Sequence, residues 1–266
     1  MNFEALESHI GLTPSETTGK TLTDLTTYIR KFLQTIPFEA IDIFNGRTIS
    51  TDVQTNIDKF TQYHRGGLCY ENNVVTNAYL TARGYETMMV AGYVKPPKRE
   101  WKKRATHLTN VVTIDNQHYL ADTGFGHFPS QPIPLTGEVV EDEDDFYRII
   151  YDDDAQSYFV QTTKQAKENW SDLLNFKREP RSLIDFMKDF DYTVFNPEYN
   201  FKHHLLINKK TDNGHMTMTE NHVNIIKNGQ KQQIDVTPIN YQALLKQYFN
   251  IEATIPALEP VSYTHL

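Results

Sequence analysis

The chain has 266 residues, of which 39% are hydrophobic and 12% aromatic, and a formal net charge of −8. That is enough apolar material for a packed core of one or two domains, and the acidic balance argues against a general nucleic-acid binder. A single cysteine excludes an intramolecular disulfide and leaves a structural zinc site without thiolates, so no metal is expected.

The opening Met1-Asn2-Phe3-Glu4-Ala5-Leu6-Glu7 lacks the basic region and apolar run of a secretory signal. No apolar stretch approaches membrane-spanning length. The expectation is a soluble protein of a reducing compartment, most simply a bacterial-type cytoplasm, with no membrane partner. Leu22, Leu25, Ile29, Phe32 and Leu33 mark one face of an amphipathic helix, with Thr21 or Thr23 as its cap and Pro37 as its end. Ile36-Pro37-Phe38-Glu39 follows. Glu39 is a candidate charge partner for a buried Arg65, the alternative being a solvated loop carboxylate. Residues 56 to 63 read as a short polar helix, so residues 1–84 form a mostly helical lobe.

Near the end of that lobe lies Arg65-Gly66-Gly67-Leu68-Cys69-Tyr70-Glu71-Asn72-Asn73. The glycines permit a tight, positive-φ approach. Val74, Val75, Ala78, Tyr79 and Ala82 then keep helical spacing up to Gly84. Cys69 is thereby placed in a first helical turn, where free N–H groups, the positive end of the macrodipole and Arg65 favour a thiolate. This makes it a candidate nucleophile. The plainer reading is a small buried hydrophobe.

Beyond Gly84 the period changes to two. Residues 86 to 94 read as a strand ended by Pro96-Pro97. Lys95, Lys98, Arg99, Lys102, Lys103 and Arg104 then form a basic loop, either simply solvated or able to attract an anionic, phosphate-bearing ligand. Strands over 106–114 and 117–124 are joined by Asp115-Asn116 as a two-residue turn. With Ile114 opposite Gln117, His107 falls opposite Gly124 and diagonally beside Asp122 on the same face. A carboxylate there would fix the imidazole tautomer, and with Cys69 the set is a candidate Cys-His-Asp triad.

Further on, residues 138–145 read as an exposed acidic loop, and 146–151 with 157–162 as a hairpin. Residues 164–174 and 182–190 read as helical, the latter with Ser182 as its cap. Strands are expected at 203–207, 216–220, 222–226 and 231–236, with turns at Asn213-Gly214 and Asn228-Gly229, and a helix at 239–249. His203-His204 points to opposite faces of a strand and is not a metal site.

The ordered motifs resemble the arylamine N-acetyltransferase family. They are Ile36-Pro37-Phe38-Glu39, Arg65-Gly66-Gly67 with Cys69, Glu71 and Asn72 or Asn73, Thr106-His107, Ala121-Asp122-Thr123-Gly124-Phe125-Gly126, and Pro197-Glu198-Tyr199-Asn200-Phe201. The resemblance implies an α+β, papain-like Cys-His-Asp arrangement. It has a helical lobe (1–84), an antiparallel β-barrel lobe carrying His107 and Asp122 (85–190), and an α/β lid (191–266). It implies acetyl-CoA as donor and arylamines, arylhydrazines or arylhydroxylamines as acceptors, with ping-pong turnover through acetyl-Cys69. Phe38, Phe125 and Phe201 become candidate pocket walls, Gly124, Phe125 and Gly126 candidates for the CoA-binding segment, and Arg65 with Glu39 structural support.

Leu68 precedes the cysteine where the family more often has an aromatic residue, Tyr70 follows it where the family more often has Phe, and His127-Phe128 follows Gly126 where smaller residues are common. A cysteine hydrolase using the same triad, or an idle acyl-CoA-binding module, are the alternatives from other classes. A homo-oligomer is compatible with the sequence.

Overall fold

Thr21 caps its helix reciprocally: its hydroxyl accepts the Asp24 N–H at 3.2 Å, and the Asp24 carboxylate accepts the Thr21 N–H at 3.2 Å. The computed structural model describes residues 2–16, 19–96, 98–143, 145–164 and 168–260. Its first part contains helices α1 (Glu4–Ile10), α2 (Leu22–Thr35), α3 (Ile41–Phe44), α4 (Val53–Tyr63) and α5 (Cys69–Ala82), with the short strand β1 (Phe38–Glu39) between α2 and α3. Leu25, Ile29, Phe32 and Leu33 of α2 are buried, whereas Leu22, in the first turn, is 40% exposed. Tyr28 of α2 stacks on Tyr79 of α5 at 4.5 Å.

Helix α5 is unusual for a helix rich in polar residues, because every residue from Cys69 to Thr76 is buried. Burying polar groups is unfavourable unless they are hydrogen-bonded, and several of those of α5 bond to the segments that carry Asn110 and Thr123. Asn110 Nδ2 donates to the Asn73 carbonyl at 2.9 Å, and Thr76 and Thr123 share a 2.7 Å hydroxyl contact.

An eight-stranded antiparallel sheet runs in the order β5-β4-β3-β2-β9-β8-β7-β6. Its strands are β2 (Glu86–Val94), β3 (His107–Ile114), β4 (Gln117–Ala121), β5 (Ile133–Pro134), β6 (Val140–Asp142), β7 (Asp145–Asp152), β8 (Ser157–Thr163) and β9 (Ser171–Phe176). The sheet curls until β5 lies beside β7, nearly closing a barrel around Val90, Val111, Leu120, Ile149, Val160 and Phe176. After α6 (Leu183–Phe195) come β10 (Ile207–Thr211), β11 (Gly214–Met218), β12 (His222–Lys227), β13 (Gln230–Asp235) and α7 (Tyr241–Leu244). These four strands continue from β1 as a second sheet, β1-β10-β11-β12-β13.

Several expectations change. The helix expected over 164–174 gives way from Ser171 to a strand: β9 occupies Ser171–Phe176 and pairs with both β2 and β8, completing the barrel row at the expense of local helical preference; residues 165–167 lie outside the described residues. The strand expected at 203–207 lies instead at Ile207–Thr211, with Thr211 opposite Gly214, so the turn is Asp212-Asn213. The 138–145 segment is not a plain exposed loop, since it contains β6, and Asp142 accepts from the buried Lys210 at 2.6 Å. The 239–249 segment is helical only from Tyr241, and it widens into a π-type turn over Leu245–Phe249. Pro97, expected to help end β2, lies outside the described residues.

Candidate active site

The Asp115-Asn116 turn forms as expected, both residues having positive φ (49° and 62°) and Ile114 pairing with Gln117. The pairing stops at Asn110 opposite Ala121, short of the expected pairing of His107 with Gly124; the chain leaving β4 brings Asp122 Oδ2 to 2.5 Å from His107 Nε2. That contact leaves Nδ1 as the ring atom available to Cys69, whose Sγ lies 3.9 Å from the carbonyl of Thr106, the residue before His107. Burial alone would lower His107. The charges of Asp122 and Cys69 and the hydrogen bonds to both outweigh it and push the imidazole up to about 10. Burial would likewise raise Asp122, but His107 and the Gly124 N–H hold its carboxyl below the ordinary range.

Asn73 holds the three residues in register. Its Nδ2 donates to the Leu108 carbonyl at 2.7 Å and to Asp122 Oδ1 at 3.2 Å, and its Oδ1 accepts the Thr123 N–H at 2.8 Å. One side chain on the cysteine helix thus ties the histidine strand to the aspartate segment. Sequence alone marks Asn73 only by its offset of one helical turn from Cys69.

Cys69 is the first residue of α5, as expected. The cap is made from the far side: Glu71 Oε2 accepts the Leu68 N–H at 2.9 Å, a half capping box in which Leu68 offers no side-chain acceptor. The expected role of the two glycines needs correcting, because neither Gly66 nor Gly67 has a positive φ. They are required for close approach. A Cβ on Gly66 would lie 1.8 Å from the Pro37 carbonyl oxygen, and one on Gly67 would lie 2.4 Å from Glu71 Oε2. Gly66→Ala must displace backbone, and is expected to destabilise the fold by about 2 kcal/mol, read as a lower urea midpoint at unchanged m-value.

Arg65 and Glu39 pair as expected, Nε to Oε1 at 2.7 Å. They belong to a larger buried cluster. Arg65 also approaches Asp42 at 3.2 Å, and Lys59 reaches Asp42 and Glu71 at 2.7 Å each. Burial raises Glu71 more than its pairing with Lys59 lowers it. Glu71 connects this cluster to the start of the cysteine helix.

A cleft of about 530 Å³ opens over Cys69 and His107. Phe38, Phe125 and Phe201 all line it, together with Tyr199, Gly124, Arg99 and Lys102. Phe125 stands edge-on to His107 at 5.2 Å, and Phe38 packs against Phe201 at 5.7 Å. Gly126 does not line this cleft; it adopts φ 88° behind Phe38 and borders a small void there. His203 and His204 bond to the Pro197 carbonyl and to Glu220, and among the described residues no group of His, Cys, Asp or Glu is placed to hold a metal ion. No described helix is long and apolar enough to cross a membrane.

The N-acetyltransferase family model matches residues 21–258. The chain belongs to the arylamine N-acetyltransferase family. It is therefore a transferase, and its chemistry is acetyl transfer. An uncharacterized acetyltransferase of Bacillus subtilis, YvcN, is 28% identical over 231 residues, covering 85% of this chain and 90% of that protein. The arylamine N-acetyltransferase of Escherichia coli is 27% identical over 198 residues, covering 73% of this chain and 69% of its own length. An arylamine N-acetyltransferase from Bacillus cereus superposes with a TM-score of 0.85 at 26% identity, covering 95% of this chain and all of that one. That enzyme is described as having a unique Cys-His-Glu catalytic triad; here the residue beside the histidine is the aspartate Asp122.

Proposed function

We propose that the chain transfers an acetyl group from acetyl-CoA to arylamines or arylhydrazines, and to arylhydroxylamines at oxygen, through acetyl-Cys69. The observation that carries this reading is the Cys69-His107-Asp122 arrangement at the floor of an aromatic-walled cleft. His107 accepts the thiol proton, and Asp122 stabilises the resulting imidazolium. Cys69 Sγ attacks the thioester carbonyl; as the bond to the CoA sulfur breaks, His107 returns the proton and CoA leaves as its thiol. An acceptor amine then attacks the acetyl-Cys69 carbonyl. His107 takes the amine proton, and Sγ is expelled as the amide forms. The two half-reactions share one site, so turnover is ping-pong. The backbone N–H of Cys69, in the first turn of α5, is suited to the developing oxyanion.

Phe38, Phe125 and Phe201 serve as walls for the acceptor ring. Arg65 and Glu39 support the nucleophile's loop, and Gly124 with Phe125 borders the donor's reactive end. Acetylation of aromatic amines of foreign origin in the cytoplasm is the physiological setting this reading supports, without a metal. Intact-protein mass spectrometry tests it. One acetyl group is expected on the wild type after incubation with acetyl-CoA, none on Cys69→Ala, and loss of the group on adding 4-aminobenzoate with appearance of the N-acetyl product. Labelling of Cys69→Ala to the same extent, or an adduct that no arylamine discharges, would overturn it.

A further inference from the structure

Strand β13 ends the second sheet, and every residue of it except Ile234 is exposed. The opposite end of that sheet, β1, is a buried pair of residues. Proteins commonly blunt an open edge with proline, a bulge or a charge set against an incoming strand. β13 contains no proline, pairs with β12 in unbroken register from Gln230 to Asp235, and carries Lys231 as its one cation.

Which main-chain groups are free follows from the ladder. The Val236 N–H donates to the Asn221 carbonyl at 2.8 Å. An antiparallel ladder repeats that phase every second residue, so Ile234, Gln232 and Gln230 turn their N–H and C=O groups to Val223, Ile225 and Lys227. Lys231, Gln233 and Asp235 therefore turn theirs outward, where β13 has no neighbouring strand among the described residues. Their side chains share the face of Ile226, Asn224 and His222. Val223, Ile225 and Ile234 lie on the other face and pack into the core.

A further antiparallel strand can hydrogen-bond to this edge only through residues that also face outward. For a second β13 that condition has one centred solution. Gln233 lies opposite its symmetry mate, and Lys231 lies opposite Asp235 on both sides of the axis. Shifting the pair by two residues in either direction shortens the ladder and loses both charge matches. The register that the hydrogen bonds select is thus the one in which the charges are self-complementary, and the lysine that would deter a foreign strand meets a carboxylate. Asp235 Oδ1 contacts His222 Nδ1 at 3.1 Å, yet the Asp235 side chain is 82% exposed and open to a second partner.

We propose that β13 is a self-association surface on which two copies of this chain join edge to edge into one continuous antiparallel sheet. Gln233 lies on the two-fold axis, flanked by reciprocal Lys231–Asp235 pairs. One short strand buries less than the about 1,200 Å² at the lower bound of a stable interface, so the dimer is reversible, with Kd of about 10–100 μM. None of these residues lines the cleft over Cys69, and the surface stands whether or not the acetyl-transfer reading does.

Sedimentation equilibrium from about 5 to 500 μM tests it. The wild type is expected to pass from monomer to dimer across that range. Lys231→Asp sets two carboxylates in opposition and Asp235→Lys two ammonium groups, and each alone is expected to weaken association at least about tenfold. Mixed in equal amounts, the two variants carry matching charges across the axis, and association is expected to return as a heterodimer. Gln233→Pro removes an outward N–H while leaving the ladder to β12 intact, and it too is expected to weaken the dimer. A wild type that stays monomeric at about 500 μM overturns the surface. A dimer that both single charge variants leave intact overturns it as well, as do variants folded by circular dichroism that remain monomeric when mixed.

Discussion

Asp122→Asn is expected to lower kcat/KM about a thousand- to ten-thousandfold in a protein that still folds. The hydrogen bonds around the side chain dictate the result. Asp122 Oδ1 accepts from the Gly124 N–H at 2.8 Å and from Asn73 Nδ2 at 3.2 Å, so an asparagine oxygen must take that place. Its NH2 then faces His107 Nε2, where Oδ2 now lies at 2.5 Å. A donor facing Nε2 requires that nitrogen to be the acceptor, which moves the ring proton to Nδ1. Nδ1 is the atom turned to Cys69, and a protonated Nδ1 cannot accept the thiol proton.

The pH dependence provides a second readout. His107 sits at about 10 because Asp122 and Cys69 outweigh the effect of burial. Its charged form therefore contributes stability that is complete below the ordinary value of 6.5 and is lost as pH rises through about 10. Without the Asp122 carboxylate the folded-state value falls, and the loss begins at lower pH. Single-turnover acetylation followed from pH 6 to 10 is expected to show the alkaline limb moved downward. Activity within tenfold of wild type and an unmoved limb would remove Asp122 from the mechanism.

Arg65→Leu is expected to destabilise the fold by about 3–5 kcal/mol, since it breaks a buried ion-pair cluster from one side. Glu39 is 2% exposed and would lose its contact at 2.7 Å, leaving Lys59 at 3.8 Å. Lys59 would then face Glu39, Asp42 and Glu71 alone. For a chain of this size the melting temperature is expected to fall by about 6–20 °C. Arg65→Lys should recover part of the loss, because a point charge restores Coulomb attraction but not the forked contact with Glu39 and Asp42. A melting temperature within about 1 °C of wild type for Arg65→Leu would mean that the cluster adds no net stability.

What could be read from the sequence depended on how local its cause was. The Asp115-Asn116 turn fixes the register of 110–114 on 117–121, which points to His107 and Asp122 as neighbours although the pairing ends before reaching them. Cys69 at a helix start was legible from spacing, and the Arg65–Glu39 pair from the need of a buried cation for a partner. The role of Gly66 and Gly67 was misread because dihedral freedom is a property of the residue, whereas the approach of Pro37 and Glu71 is set by distant parts of the chain. β9 was missed for the same reason: its neighbours β2 and β8 supply the pairing. Asn73 was marked only by its place in the motif, one helical turn from Cys69, and the membership of Lys59 in the ion cluster had no local signature at all.

Strand β1 is only Phe38–Glu39, yet it makes three attachments. It pairs with Ile207 and Asn208 of the second sheet, Phe38 bridges to Gly67 beside the nucleophile, and Glu39 anchors Arg65. Peeling the second sheet away would strip main-chain partners from the segment that seats Cys69. The second sheet and the cysteine loop are therefore expected to open as one cooperative unit, so that partial unfolding of that sheet, well short of global denaturation, would unseat Cys69. Substrate entry by way of the cleft over Cys69 and His107 then requires the second sheet to stay in place.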